Sequence, residues 1–320
     1  MYKKYLILTL ISLFVTTSCF SMKIEQVINS TTEKRNEKSK NLHLMSPLEI
    51  VTLMNEEDQQ VSIAVGKCLA EIAKCTVKIA ETLKNGGRLF YLGAGTSGRL
   101  GVVDASECPP TFNAPQGQIV GIIAGGDGAM RAAVEGAEDN PVLGVQDLKD
   151  KGLTSKDVVC GISTSGFAPY VFGALKYAKE LGCFTIMFTC NPNCVDTIRQ
   201  QIAIDEFIVP VVGPEVVTGS TRLKAGTATK MVLNMLTTGA FVLNGYVYEN
   251  FMINVKASNN KLRDRQRRIL IALFPELDKE AAGKLLEKVE CEHNVAKAIK
   301  VYKREHAASI CQKKILLGTH

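Results

Sequence analysis

The sequence predicts an α/β fold: a three-layer sandwich whose mainly parallel sheet carries helices on both faces. Three observations predict it. Apolar runs at 89–92, 119–124, 158–163, 184–188 and 207–212 are separated by helical or turn-rich stretches. The runs are apolar throughout rather than alternating, which is how parallel strands covered on both faces read. Glycine- and hydroxyl-rich turns follow the first and third runs, where a strand would hand over to a helix.

The elements follow in order. Ser46-Pro47-Leu48-Glu49 has the form of a helix start, with Ser as the cap, Pro at the first position and Glu at the third. Apolar residues then recur at helical spacing through Ile50, Leu53 and Met54, and through Val61, Val65, Leu69, Ile72 and Ile79, until Asn85-Gly86-Gly87 closes the region. After the strand at 89–92, Gly93-Ala94-Gly95-Thr96-Ser97-Gly98 opens a helix near Ser97. The strand at 119–124 leads through Gly125-Gly126 into a helix expected to run to about Ala137. The strand at 158–163 precedes a helix over 169–181, and a long helix is expected over 224–243. Phe274-Pro275 marks a boundary before a charged helical end. The chain therefore divides into 1–21, a sheet domain over 22–270 and a helical bundle over 271–320.

Composition bounds the function. A chain of 320 residues with 46% hydrophobic and 22% charged residues buries a good core and describes an ordinary folded protein. The net charge of +6 lies largely in clusters at 34–40, 263–268 and 297–314, without interleaved aromatics. These read as solvated helix faces, and no nucleic-acid partner is expected. Several of the ten cysteines, Cys68, Cys75, Cys160 and Cys183, sit in apolar segments that read as core, and buried reduced thiols suit a reducing compartment. Cys190 and Cys194 have a spacing that zinc sites use, but no second pair or nearby His completes it, so no metal is expected. All four histidines, His43, His293, His306 and His320, lie outside 44–292. That segment cannot supply a Ser–His or Cys–His pair, so carboxylates lead as acid–base candidates.

The chemistry concentrates around GAGTSG. Its backbone N–H groups at a helix N-terminus favour an anion, and Thr96 and Ser97 add hydroxyls. Nine residues beyond Gly98 stands Glu107. The pattern also satisfies the dinucleotide motif G-x-G-x-x-G. Similar devices recur, however, at Ser163-Thr164-Ser165-Gly166 and at Thr218-Gly219-Ser220-Thr221, the latter followed by Arg222 and Lys224. Several Ser/Thr-Gly loops at strand ends suit a single sugar phosphate better than a dinucleotide.

These loops resemble the sugar-isomerase (SIS) fold. The strings LGAGTSGRLGVVDASECPPTF, IAGGDGAMRAAVEGAEDN and VVGPEVVTGSTRLKAGTATKMVLNMLTTG resemble the N-acetylmuramic acid 6-phosphate etherase family, as do TTEKRN near the start and NVKASNNKLRDRQ after the long helix. The likeness spans roughly 23–310. It implies a carbon–oxygen lyase without a cofactor, and a small C-terminal helical appendage of the UBA-like kind. The implied reaction cleaves the D-lactyl ether at C3 of N-acetylmuramate 6-phosphate by elimination from the open-chain sugar and then hydration. Glu107 matches the family's acid toward the lactyl oxygen, and Glu138 the partner at C2 or the sugar hydroxyls. Ser97, Gly98, Ser165, Ser220 and Lys224 lie in the matched loops as phosphate or sugar contacts, with Ser163 a weaker candidate.

One departure stands out. The family commonly carries Arg in SGRTPYV, where this chain has Phe167 in SGFAPYV. The related glucokinase regulatory protein has a comparable Ala-Pro there, so a non-catalytic sugar-phosphate-binding regulator is the alternative reading. The resemblance also implies a homodimer. MYKKYLILTLISLFVTTSCFS reads as a signal, or as an extension before a start at Met22. The first would export the protein or anchor it at Cys19; the second leaves it cytoplasmic, without a membrane partner.

Overall fold

The computed structural model describes residues 30–316 apart from 256, 258 and 289, with side chains described up to residue 306. The signal-like segment 1–21, with Cys19 and Met22, and His320 lie outside the described residues. Five parallel strands, β1 (Leu89–Gly93), β2 (Ile119–Ile123), β3 (Val158–Ile162), β4 (Phe184–Phe188) and β5 (Glu206–Ile208), form a sheet in the order β2-β1-β3-β4-β5. All five expected strands are present. The last is shorter than its apolar run, because Pro210 follows and cannot donate to a ladder.

Successive strand residues point to opposite faces, and each face has its own core. Tyr91, Cys160, Ile186 and Phe188 pack against α1 (Pro47–Gly66), α2 (Leu69–Lys84), α3 (Gly95–Phe112) and α7 (Lys224–Leu243). Phe90, Leu92, Val159 and Met187 pack against α4 (Pro141–Asp150), α5 (Pro169–Leu181) and α6 (Val195–Gln201). Fully burying each such side chain is worth about 1.5–3 kcal/mol, so the sheet centre is a rigid platform for the loops at its ends.

Local signals explain most boundaries. Ser46 caps α1 through a capping box, its Oγ accepting from the Glu49 N–H while Glu49 Oε2 accepts from the Ser46 N–H at 2.7 Å. Helices α5 and α7 match the expected spans. The helix expected after Gly125-Gly126 is absent. Short 3-10 turns at Asp127–Met130 and Ala137–Asp139 replace it, because Gly125, Gly126 and Gly136 all take positive φ. Helix α4, which no apolar periodicity announced, starts instead at Asn140-Pro141, with Asn140 accepting from the Val142 N–H at 3.0 Å. Helix α3 continues through Pro109 and Pro110 to a left-handed cap at Asn113, so Glu107 stands within it.

A two-residue hairpin, β6 (Val247–Tyr248) with β7 (Phe251–Met252), follows α7. Helices α8 (Asn260–Leu273), α9 (Lys279–Glu287) and α10 (Val295–Leu316) then build a third core around Leu270, Leu286, Val295 and Ile299, which reaches back to Ile253. Asn254 Nδ2 donates to Phe112 O at 3.1 Å and ties this unit to the end of α3. Among the described residues no helix is long and apolar enough to cross a membrane.

Candidate active site

In the observed strand order the connections from β1 and β3 leave in opposite directions, and their carboxyl ends lie side by side with Gly93 opposite Ile162. In parallel sheets this switch point is where ligands bind. The first two hydroxyl loops therefore meet there. Ala94 precedes α3 in an extended conformation and provides no side-chain cap, leaving the first-turn N–H groups to a ligand. Gly98 is required at the second position of the pair Ser97-Gly98: a Cβ there would collide with Gly93 O and press on Ile123. Ser97 is buried at 8% exposure, and no protein partner takes its hydroxyl among the described residues.

The second loop is held from below. Thr164 O accepts from the Cys190 N–H at 2.9 Å, and Ser165 O from Asn191 Nδ2 at 2.9 Å. Gly166 has φ +77°, and a Cβ there would strike Cys194 Sγ. The CNPNC segment thus braces this loop, with the Cys194 thiol, pushed up to about 11 by burial, donating to Asn191 O. Ser163 is internal, its Oγ accepting from the Ala168 N–H at 3.4 Å. Ser165 is half-buried at the loop's outer side, as is Phe167.

The third loop is anchored by two buried carboxylates. Glu215 accepts from the Lys224 and Ala225 N–H groups at 2.9 and 3.0 Å, a carboxylate at the positive end of α7. Lys224 Nζ donates to Glu57 Oε2 at 2.6 Å. Thr96 Cγ2 and Thr221 O lie 3.5 and 3.6 Å from the point a Gly226 Cβ would occupy, so the first and third loops close on the start of α7. Ser220 is half-buried in that loop, and the Glu33 carboxylate from TTEKRN approaches its neighbour Gly219.

Glu138 joins this cluster. Together with Gly95 and Arg99 it lines a cavity of about 140 Å³ beside the first loop. Glu138 is exposed at the mouth of this cavity, and local desolvation, followed by the charges of Asp139 and Glu135, raises its carboxyl above the usual range. Arg99, which sequence reasoning missed, donates to Ala129 O at 2.7 Å and Met130 O at 3.2 Å and so fixes the turn leading to Glu138. Glu107 is not brought into the cluster of its own chain. It is exposed, and ten residues of α3 place it about 15 Å along the helix axis from Ser97.

A second carboxylate in DASECPP was also missed. Asp104 lies between β1 and α7, accepting from Thr237 Oγ1 at 3.3 Å beside the buried hydroxyl of Tyr91. Desolvation pushes its carboxyl up to about 6, against the opposing pull of Thr237, Tyr91 and Lys230. Its one sequence signal is the spacing of three before Glu107, which gives no hint of burial.

The chain is similar to known proteins along most of its length. Residues 71–179 match the family model of the glucokinase regulatory protein N-terminal SIS domain. It is 52% identical over 261 residues to the N-acetylmuramic acid 6-phosphate etherases of Yersinia pestis (strain Pestoides F) and Yersinia pseudotuberculosis serotype O:1b (strain IP 31758), covering 82% of this chain and 84% of each relative. Among solved structures, it is similar to a phosphosugar isomerase described as involved in capsule formation from Bacteroides fragilis (TM-score 0.48, 18% identity, 64% of this chain and 94% of that one). It is also similar to a phosphoheptose isomerase from Francisella tularensis (TM-score 0.44, 19% identity, 61% of this chain and 100% of that one). The 52% identity to the two Yersinia proteins over 261 residues establishes that the chain belongs to the N-acetylmuramic acid 6-phosphate etherase family.

Proposed function

We propose that this protein cleaves the D-lactyl ether of N-acetylmuramate 6-phosphate, releasing D-lactate and N-acetylglucosamine 6-phosphate. The observation that carries the reading is the meeting of three hydroxyl loops and the raised-pKa carboxyl of Glu138 at the sheet's switch point, in a chain of the etherase family. Ser97, Ser165 and Ser220, with the N–H groups beside Gly98, hold the phosphate. Lys224 serves the site indirectly, by fixing the third loop through Glu57. Glu138 removes the C2 proton, which the C1 aldehyde acidifies. Glu107 protonates the departing lactyl oxygen and then activates the water that adds to the double bond.

The distance along α3 exceeds the span from the 6-phosphate to the C3 oxygen of one sugar. In this reading Glu107 therefore serves the cradle of a second copy, and the working unit is a homodimer. A cytoplasmic setting fits the eight buried free cysteines among the described residues. The test is incubation with N-acetylmuramate 6-phosphate and an enzymatic assay for D-lactate. Binding without lactate release would leave the regulator reading, which Phe167 in the second loop favours.

A further inference from the structure

The substrate of the proposed reaction carries two anions, the 6-phosphate and the lactyl carboxylate. The three hydroxyl loops answer the first. The second is separated by a single carbon from the ether oxygen that Glu107 protonates. A cation that holds it must therefore lie beside Glu107, and Lys230 of α7 meets that condition.

Helices α3 and α7 pack against each other on one face of the sheet. Lys230, Asn234 and Thr237 recur at i, i+4 and i+7 and form one stripe of α7. Asp104 of α3 faces this stripe. At its buried end Asp104 Oδ1 accepts from Thr237 Oγ1 at 3.3 Å, where Thr237 is 2% exposed. With its amide turned to satisfy both neighbours, Asn234 donates to Asp104 Oδ1 at 3.3 Å and accepts from Lys230 Nζ at 2.8 Å. Asn234 and Lys230 are exposed, so the network runs from the core to the surface. Burial raises the Asp104 carboxyl, and the nearby charge of Lys230 opposes it.

This arrangement orders the Lys230 ammonium without neutralising it. The amide oxygen of Asn234 takes one of its three donors, and Lys230 has no ion pair among the described residues. Lys179 and Lys288 differ, with carboxylates at 2.6 Å each. Fixing a long side chain before the ligand arrives removes part of the entropy cost of binding. Glu107 follows Asp104 by three residues, so the two are neighbours on the surface of α3. Side chains on a helix lean toward its N-terminus, which brings the Glu107 carboxyl back over the turn of Asp104 and toward Lys230. Val103, four residues before Glu107 and 46% exposed, adds an apolar spot on that face.

Resting on the etherase reading, we propose that Lys230 binds the carboxylate of the lactyl group beside Glu107, and that Asn234 and Asp104 are positioning residues that hold its ammonium there. Val103 is the apolar neighbour of the lactyl methyl. The contact is made in ground and transition states alike, so it acts on KM.

The test compares N-acetylmuramate 6-phosphate with its lactamide analogue, in which a neutral amide replaces the carboxylate. Release of lactate and of lactamide is followed by mass spectrometry. Wild-type kcat/KM should favour the carboxylate by about 10- to 100-fold, the worth of a hydrogen bond between charged groups. Lys230→Gln should abolish this preference through KM. Asn234→Ala should reduce it. Ser97→Ala should weaken both substrates equally and keep it. A wild type that releases neither product overturns the etherase reading, and this assignment with it. An active wild type without the preference, or a Lys230→Gln variant that retains it, overturns the assignment alone. A preference lost in Arg263→Gln/Arg267→Gln but kept in Lys230→Gln would move the carboxylate to the cavity at the carboxyl end of α3, which those arginines line. A full preference in Asn234→Ala overturns the positioning role.

Discussion

The ammonium of Lys224 lies 2.6 Å from the carboxylate of Glu57, with 3% and 9% of the two side chains exposed, although 167 residues separate them in sequence. Asn36 Nδ2 and Lys38 Nζ also donate to Glu57, at 2.8 and 3.0 Å. One carboxylate on α1 therefore ties together the TTEKRN segment and the start of α7, and with them both ends of the third hydroxyl loop.

This pair has a pH signature. Desolvation raises the Glu57 pKa, but the hydrogen bonds from Lys224, Lys38 and Asn36 outweigh it and hold the carboxyl at about 2, below its ordinary 4.5. The stabilisation is then complete above pH 4.5 and is lost as pH falls toward 2. Glu57→Gln should cost about 3 kcal/mol at neutral pH, because it strands a buried ammonium. Its stability should also fall less steeply than that of the wild type between pH 4.5 and 2. Urea unfolding at neutral and acid pH measures both, and an unchanged acid slope would contradict the role given to the carboxylate.

Asp104 has the opposite sign. Its pKa is raised from 3.8 to about 6, so its ionisation opposes folding above pH 6 and has no effect below 3.8. Asp104→Asn should stabilise the protein by about 1–3 kcal/mol at alkaline pH, with the gain vanishing near pH 4. Chemical unfolding at the two pH values checks this. A variant destabilised at both would mean that the hydrogen bond from Thr237 outweighs the desolvation.

The sheet was legible because strands buried on both faces leave uninterrupted apolar runs, and α5 and α7 because Pro169 and the turn after Ser220 punctuate the chain. The segment 125–137 was not legible. Its apolar residues invite a helix, and only the backbone reveals three glycines at positive φ. The hydroxyl loops could be read locally, since a phosphate cradle is made of consecutive residues. The fate of Lys224 could not, because its partner lies on a helix 167 residues away. Likewise, closeness in sequence put Glu107 beside GAGTSG, whereas a helix carries a residue away from its own N-terminus at 1.5 Å per position.

That separation makes a prediction about the proposed chemistry. Glu107→Gln should lower lactate release by about 10²- to 10⁴-fold, the usual worth of a general acid, while sugar-phosphate binding persists. Mixing inactive Glu107→Gln with inactive Glu138→Gln should restore activity, in about a quarter of sites after random exchange within dimers. Only a site that draws Glu138 from one chain and Glu107 from the other recovers in this way. No recovery from demonstrably mixed dimers would return both glutamates to a single chain.

In the proposed site the hydroxyls divide into contacts and braces, and kinetics separates them. Ser97 and Ser165 offer oxygens that no protein group claims among the described residues, whereas the Ser163 oxygen accepts from the Ala168 N–H. Phosphate contacts hold ground and transition states alike, so Ser97→Ala or Ser165→Ala should raise KM about 10- to 100-fold with little change in kcat. Ser163→Ala should act instead on the stability of the second loop, lowering Tm and leaving KM near that of the wild type. A large fall in kcat at unchanged KM in the first two variants would move those hydroxyls from the phosphate to the reacting carbons, and the cradle would then have to be built from the backbone N–H groups of α3 alone.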